Sequence, residues 1–245
     1  MVYFMNVIHE LSTPNRRRKR RKKTEEIVDE AMDIVLSTGF EGLTMARVAQ
    51  RLDLTAGALY RYFSSKEELI AELEARAITQ LHALIDSERQ KWTKELQQTV
   101  DSNQWGLCEL VAVGKFYEGL LTRQPRLFRL VSKTLADPLV LVTDERAAAK
   151  VALALGGLLS CVTEMFEAAQ AQGSLLPGRA EERTAVYWSA HHGTLQTDKL
   201  GRFSATLRAN HLAPALRRAL LLGWGAKEQS IQDAEDWICR QGNRK

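Results

Sequence analysis

The stretch Gly39–Leu73, GFEGLTMARVAQRLDLTAGALYRYFSSKEELIAEL, decides how this chain is read. It follows an apolar stripe, Ile27, Ala31, Ile34 and Val35, spaced as one face of a helix from about Thr24 to Thr38. Gly39 suits the left-handed residue that ends such a helix. Thr44 is placed to cap a second helix that turns Val48, Ala49 and Leu52 inward. Asp53-Leu54 leaves a very short connection before Thr55, a second cap-type residue, and a third helix then runs to about Phe63 with Leu59 and Phe63 inward. Two short helices joined by a tight turn make a helix-turn-helix. Ser65-Lys66-Glu67-Glu68 reads as a capping box opening a fourth helix, whose stripe continues through Leu69, Leu73, Ala77 and Leu81 to about Lys91.

These residues resemble the DNA-binding segment of TetR-type transcriptional regulators. There Gly-(Phe or Tyr), Thr, Val-Ala and Leu-Tyr-x-(His or Tyr)-Phe-x-x-Lys-x-x-Leu recur at the spacings seen here from Gly39 to Leu69. The residue types also have a physical reason. A recognition helix needs a short, flat N-terminal end to enter the major groove, and Thr55, Ala56 and Gly57 supply it. Around that end Thr44, Tyr60, Tyr62 and Lys66 offer hydroxyls and an ammonium to phosphate oxygens. The resemblance assigns base contacts to Thr55, Ala56 and the first turn of the second helix, where Arg47 would reach guanine; Arg61 would reach phosphate or base. Phe63 is assigned to the core.

Charge is unevenly spread. The net charge is +4, yet the run Arg16, Arg17, Arg18, Lys19, Arg20, Arg21, Lys22 and Lys23 alone carries eight positive charges, leaving the rest of the chain acidic. Adjacent like charges repel, so residues 1–23 are expected to be a flexible basic arm that lies in the minor groove beside the helix-turn-helix. The domain reading is then 1–23 arm, 24–68 DNA-binding domain and 69–245 ligand-binding and dimerisation domain. Lipid docking of the run would want an amphipathic helix or lipidation site beside it, and none is read. The apolar run Val151–Val162 is too short to cross a bilayer, which needs about 18 residues or more. Cys108, Cys161 and Cys239 are three and widely spaced, giving neither a disulfide framework nor a metal motif and pointing to the cytoplasm.

Beyond Asn103 apolar-periodic helices dominate, at about 104–123, 125–136 with a stop at Asp137-Pro138, 144–171, 181–198, 208–222 and 227–240. The fold class is therefore all-α, a three-helix DNA-binding domain followed by a larger helical bundle. Trp188-Ser-Ala-His-His192-Gly193 is similar to a Trp-x-x-x-His-Gly signature in one branch of TetR-type C-terminal domains. That resemblance implies a homodimer through the helices near 181–198 and 208–222. A single helix-turn-helix covers only a half-site, and a pair about 34 to 36 Å apart fits a palindromic operator. His191 and His192, adjacent on a helix, point about 100° apart and suit packing better than chelation; no metal and no cofactor is expected. Trp105, Cys108, Phe116, Tyr117, Phe128, Leu158, Val162, Met165, Trp188 and His192 are the candidates to line a ligand cavity in the bundle.

No GxSxG, HExxH or GxxxxGK[ST] pattern occurs, so no enzyme is indicated. The sequence reading is a dimeric DNA-binding transcriptional repressor released by a small apolar or amphipathic effector. Two alternatives stand beside it, a non-specific architectural DNA binder and a lipid-docked helical ligand-binding protein.

Overall fold

The proline-free sequence from Asn15 to Gln124 is taken up by helices and short turns. The structure, a computed structural model, describes residues 2–136 and 142–242, with side chains described for 15–134 and 142–240. Among the described residues the α-helices are α1 (Val2–Thr38), α2 (Met45–Arg51), α3 (Ala56–Tyr60), α4 (Lys66–Thr99), α5 (Trp105–Glu118), α6 (Leu120–Arg123), α7 (Pro125–Ala136), α8 (Glu145–Ala171), α9 (Ala180–Gln196), α10 (Ala209–Gly223) and α11 (Glu228–Gly242), and no strand occurs. The expected stop at Asp137-Pro138 lies outside the described residues.

Two differences from the sequence reading bear on function. The first is that α1 starts at Val2 and not near Thr24, so the basic run, read as a flexible arm, is helical. Carboxylates downstream offset part of its repulsion: Arg21 pairs with Glu25 at 3.3 Å and Lys23 with Glu26 at 3.0 Å. The second is that α4 continues past Lys91 to Thr99, because Trp92 and Leu96 extend its buried stripe beneath a polar outer face.

The chain divides into two compact units. One comprises the chain up to Ala75 together with a segment ending at Val151; the other comprises Arg76–Ala136 and the chain from Ala152. In the first, Ile27, Ala31, Ile34 and Val35 of α1 pack with Leu43, Val48, Leu59, Phe63, Leu69 and Leu73, all buried. Gly39 ends α1 at a φ of 80°, its N–H donating to the Val35 carbonyl. Residues 142–151 join this unit by polar ties. Glu67 accepts hydrogen bonds from the Thr143 and Asp144 backbone N–H groups at 3.0 and 2.9 Å, which hold its carboxyl below the usual carboxylate range, and Lys150 pairs with Glu72. Along α4 this unit extends to Ala75.

In the second unit α5 is buried along most of its length, with α11 and α9 packed against it. A Cβ on Gly106 would stand 2.4 Å from the Ala169 backbone nitrogen, so α5 and α8 approach backbone to backbone there. Phe166 packs edge-on against Tyr187 and Trp224. In α8 Leu158, Val162, Met165 and Phe166 are buried. The helix also contains an 18-residue window of mean hydropathy 1.5, long and apolar enough by length and composition to cross a membrane; the shorter run read from the sequence did not reveal it.

Candidate functional site

Two local hydrogen bonds build the helix-turn-helix. Thr44 Oγ1 accepts from the Arg47 backbone N–H, and Thr55 Oγ1 accepts from that of Ala58, both at 3.2 Å. Each cap satisfies a donor that a helix start otherwise leaves open. Between the helices Asp53 adopts a φ of 51°, a left-handed conformation that aspartate tolerates better than most residues. The turn brings α2 against α3 through buried Val48, Ala49 and Leu59. At the start of α4 the Ser65 hydroxyl accepts from the Glu68 N–H at 3.0 Å, while the Glu68 carboxylate reaches one residue further back than a standard capping box, to the N–H and hydroxyl of Ser64.

This frame leaves Thr55, Ala56 and Gly57 exposed, and nothing lies within 4 Å of a Cβ placed on Gly57. Tyr60 is 50% exposed on the same short helix, and Arg61 and Thr44 are exposed as well. Tyr62 and Lys66 are half-buried, and Phe63 is in the core. Arg47 points away from this surface. It is half-buried, and its guanidinium turns back to donate to Thr38 Oγ1 at 3.2 Å and the Gly42 carbonyl at 3.3 Å, where it braces the α1–α2 turn.

The basic run lies close to this surface. Arg20 donates to the carbonyl of Arg61 at 3.4 Å, while Arg16, Arg17, Arg18, Lys19, Arg21 and Lys22 are exposed and Lys23 is half-buried. In this helical form the run differs from the extended arm that a minor groove would admit. A helix with side chains is about 10 Å across, whereas the minor groove is about 6 Å wide.

The ligand-cavity candidates in the second unit separate into two groups. Tyr117, Val162 and Trp188 line a cavity of about 20 Å³ beside Gly114 and His191, room for roughly one water molecule. Cys108 instead borders an open polar hollow of about 300 Å³ near Asp233 and Trp237. Neither space is lined by Trp105, Phe116, Phe128, Leu158, Met165 or His192. Trp105 donates to the Val100 carbonyl, Phe116 packs edge-on against Trp92, and Leu158 and Met165 are core. Phe128 lies 6.3 Å from the Tyr117 ring and 6.0 Å from that of His192. His192 Nδ1 is 2.7 Å from the Tyr117 hydroxyl, and Trp188 packs on the same tyrosine at 4.4 Å between ring centroids. Burial lowers the affinity of His192 for a proton and keeps the Tyr117 hydroxyl protonated.

Sequence reasoning missed Arg217. It is 1% exposed and pairs with Glu118 and Glu235, and Glu118 also stands 3.5 Å from His191 Nε2. The available signal was its position between Ala213 and Leu221, at intervals of four on the buried face of α10.

Residues 27–73 match the family described as "Bacterial regulatory proteins, tetR family". The HTH-type transcriptional repressor KstR of Mycobacterium tuberculosis is 39% identical over 67 residues, 27% of this chain, and the match spans 30% of that relative's length. In fold, a TetR-family transcriptional regulator from Agrobacterium tumefaciens is similar with a TM-score of 0.56 at 20% identity, over 81% of this chain and 98% of that one. FadR from Bacillus subtilis, solved in complex with stearoyl-CoA, is similar with a TM-score of 0.58 at 15% identity, over 80% of this chain and 97% of its own. Residues 27–73 thus carry a TetR-type helix-turn-helix, at the N-terminal end of a chain whose all-helical fold is that of TetR-family regulators.

Proposed function

We propose that this chain is a sequence-specific DNA-binding transcriptional repressor, and not an enzyme, acting in the cytoplasm as a homodimer on a palindromic operator. The observation that carries this reading is the exposed Thr55–Ala56–Gly57 tip, capped at its base and with open space around Gly57. Thr55 and Ala56 read base edges in the major groove. Thr44, Tyr60, Arg61, Tyr62 and Lys66 hold the phosphates, and the cations of Arg16–Lys23 add attraction independent of sequence. The repressor name of the KstR relative supports the direction of control.

The homodimer forms through α9 and α10, a reading supported by Val186 and Leu222, which are 48% and 38% exposed on them. The Trp188-x-x-x-His192-Gly193 pattern supports reading the second unit as one of the branch of TetR-type proteins that shares it. A small apolar or amphipathic effector enters by widening the cavity beside Tyr117, Val162 and Trp188, and releases DNA by as much as it prefers the widened state. FadR from Bacillus subtilis, solved with stearoyl-CoA, supports an effector of that kind.

Selection of bound sites from random duplex DNA with the purified full chain tests the reading. The expected product is a palindrome with half-sites about 10 base pairs apart or a multiple of that, bound roughly 10³-fold or more above random sequence. Recovery of no common sequence would remove it.

A further inference from the structure

Away from the helix-turn-helix, α4 and α8 bring an imidazole, a carboxylate and a thiol to one place in the second unit. His82 and Asp86 are four residues apart on α4 and so share a face. Cys161 reaches them from α8. His82 Nε2 lies 3.4 Å from Asp86 Oδ2, the Cys161 thiol donates to Asp86 Oδ1 at 3.5 Å, and one donor atom from each residue lies within 4.8 Å of the other two.

A tetrahedral ion sets its own spacing. With bonds of about 2.0 to 2.1 Å to nitrogen and oxygen and about 2.3 Å to sulfur, zinc holds a nitrogen and an oxygen about 3.4 Å apart and a sulfur and an oxygen about 3.6 Å apart. The two observed separations, 3.4 Å from His82 Nε2 and 3.5 Å from Cys161 Sγ, fall in that range but reach different oxygens of Asp86, so the carboxylate must rotate for one oxygen to serve the ion. We propose that His82, Asp86 and Cys161 form a binding site for a divalent transition-metal ion of the zinc class, with water completing the fourth position.

An ordinary i, i+4 pair on a helix surface explains the His82–Asp86 contact by itself, but not three surrounding features. Gly157 stands one turn before Cys161, and a Cβ there would lie 3.3 Å from both Cε1 and Nδ1 of His82, so the glycine leaves the room in which the imidazole sits. Arg89 brings Nη1 to 3.9 Å from the Cys161 sulfur. The same guanidinium is held by Glu109 at 3.3 Å and Glu164 at 2.8 Å, so together with Asp86 the surroundings carry a net charge of about −2 before the ion arrives. Cys161 is buried, whereas the side chains of His82 and Asp86 are 28% and 49% exposed, which gives the ion an open edge of entry. Sulfur and imidazole together select zinc-class ions over magnesium or calcium. Three protein ligands with one open position make the ion exchangeable in a way that a closed four-ligand site is not.

The test uses the full chain stripped of metal with a chelator, then titrated with Co²⁺ read by absorption and with Zn²⁺ against a chromophoric chelator. One Co²⁺ per chain is expected, with a thiolate-to-metal charge-transfer band. Cys161→Ser and His82→Gln should each weaken Zn²⁺ binding at least tenfold, and Cys161→Ser should lose the band, while Cys108→Ser and Cys239→Ser retain both. Gly157→Ala touches no ligand and should weaken binding by about tenfold through the displaced ring. Because His82 is on the open edge, His82→Gln keeps the fold intact, as circular dichroism checks, even if the buried Cys161→Ser does not. A Co²⁺ spectrum without thiolate ligation, or a band lost in Cys239→Ser and kept in Cys161→Ser, overturns the site.

Discussion

The two units satisfy their polar groups in different ways. In the first, the working contacts are local: Thr44 and Thr55 each close on an N–H three residues ahead, and the Arg51–Glu30 pair sits at the surface with Arg51 half exposed. In the second, Arg217 is enclosed between Glu118 and Glu235, carboxylates 99 and 18 residues away. Local contacts form a module that a short stretch of sequence specifies. A buried charge held from three helices is specified only when the whole bundle has assembled. Removing a partner tests that difference most severely. Arg217→Ala should cost about 3 to 5 kcal/mol, because it strands carboxylates inside the bundle, while Arg51→Ala should cost less than about 1 kcal/mol. Urea unfolding at one protein concentration measures both, and equal losses would break the contrast. Arg217→Met combined with Glu118→Gln and Glu235→Gln should recover most of the loss.

The next effect is confined to the first unit and separates function from stability. Gly57→Leu meets open space within the protein and replaces a poor helix former, so unfolding should be unchanged or shifted upward by about 0.5 kcal/mol. The same side chain would hold the α3 backbone off the base edges, and binding to the selected palindrome should fall about 100-fold, equal to about 2.7 kcal/mol. A parallel loss of stability would return Gly57 to a structural role.

Glu74 sharpens the comparison from another side, since it is a buried carboxyl in the unit otherwise built from exposed polar contacts. It is 6% exposed, and burial raises its pKa to about 7. An unfolded chain loses that proton near 4.5 while the folded chain keeps it to about 7. Stability therefore falls as pH rises through this window and is flat above it. Glu74→Gln should stabilise the protein by about 3 kcal/mol at pH 8 and hardly at all at pH 4. Thermal unfolding of both proteins across that range measures it, and a constant difference would show that the carboxylate is solvated.

How much could be read beforehand follows the same division. The caps at Thr44 and Thr55, the stripe Ile27–Ala31–Ile34 and the exposed tip all rest on neighbours within a few residues, and the structure has each of them. The tie of Thr143 and Asp144 to Glu67 spans about 76 residues, and no periodicity reports it. The same holds for the meeting of Cys161 with His82 and Asp86, and for the cavity being lined by Tyr117 and Trp188 but not by Phe116 or Met165. The resting contacts of Arg47 were illegible for a different reason. Its position on the first turn of α2 was right, but a long guanidinium reaches acceptors such as the Gly42 carbonyl that lie behind it as easily as those in front.

The smallest effect examines whether the caps act alone. Thr44→Ala removes the acceptor for the Arg47 N–H and should cost about 1 kcal/mol, as should Thr55→Ala at Ala58. The two caps sit on different helices of one packed motif, so their losses are additive only if α2 and α3 unfold with the same cooperative unit. A double variant losing about 2 kcal/mol in urea unfolding fits a single local module. Substantially less would mean that α3, only five residues long, frays on its own and is ordered by the DNA it enters. Thr55→Ala would then weaken operator binding by more than it weakens the fold, while Thr44→Ser, which keeps the hydroxyl, would change neither.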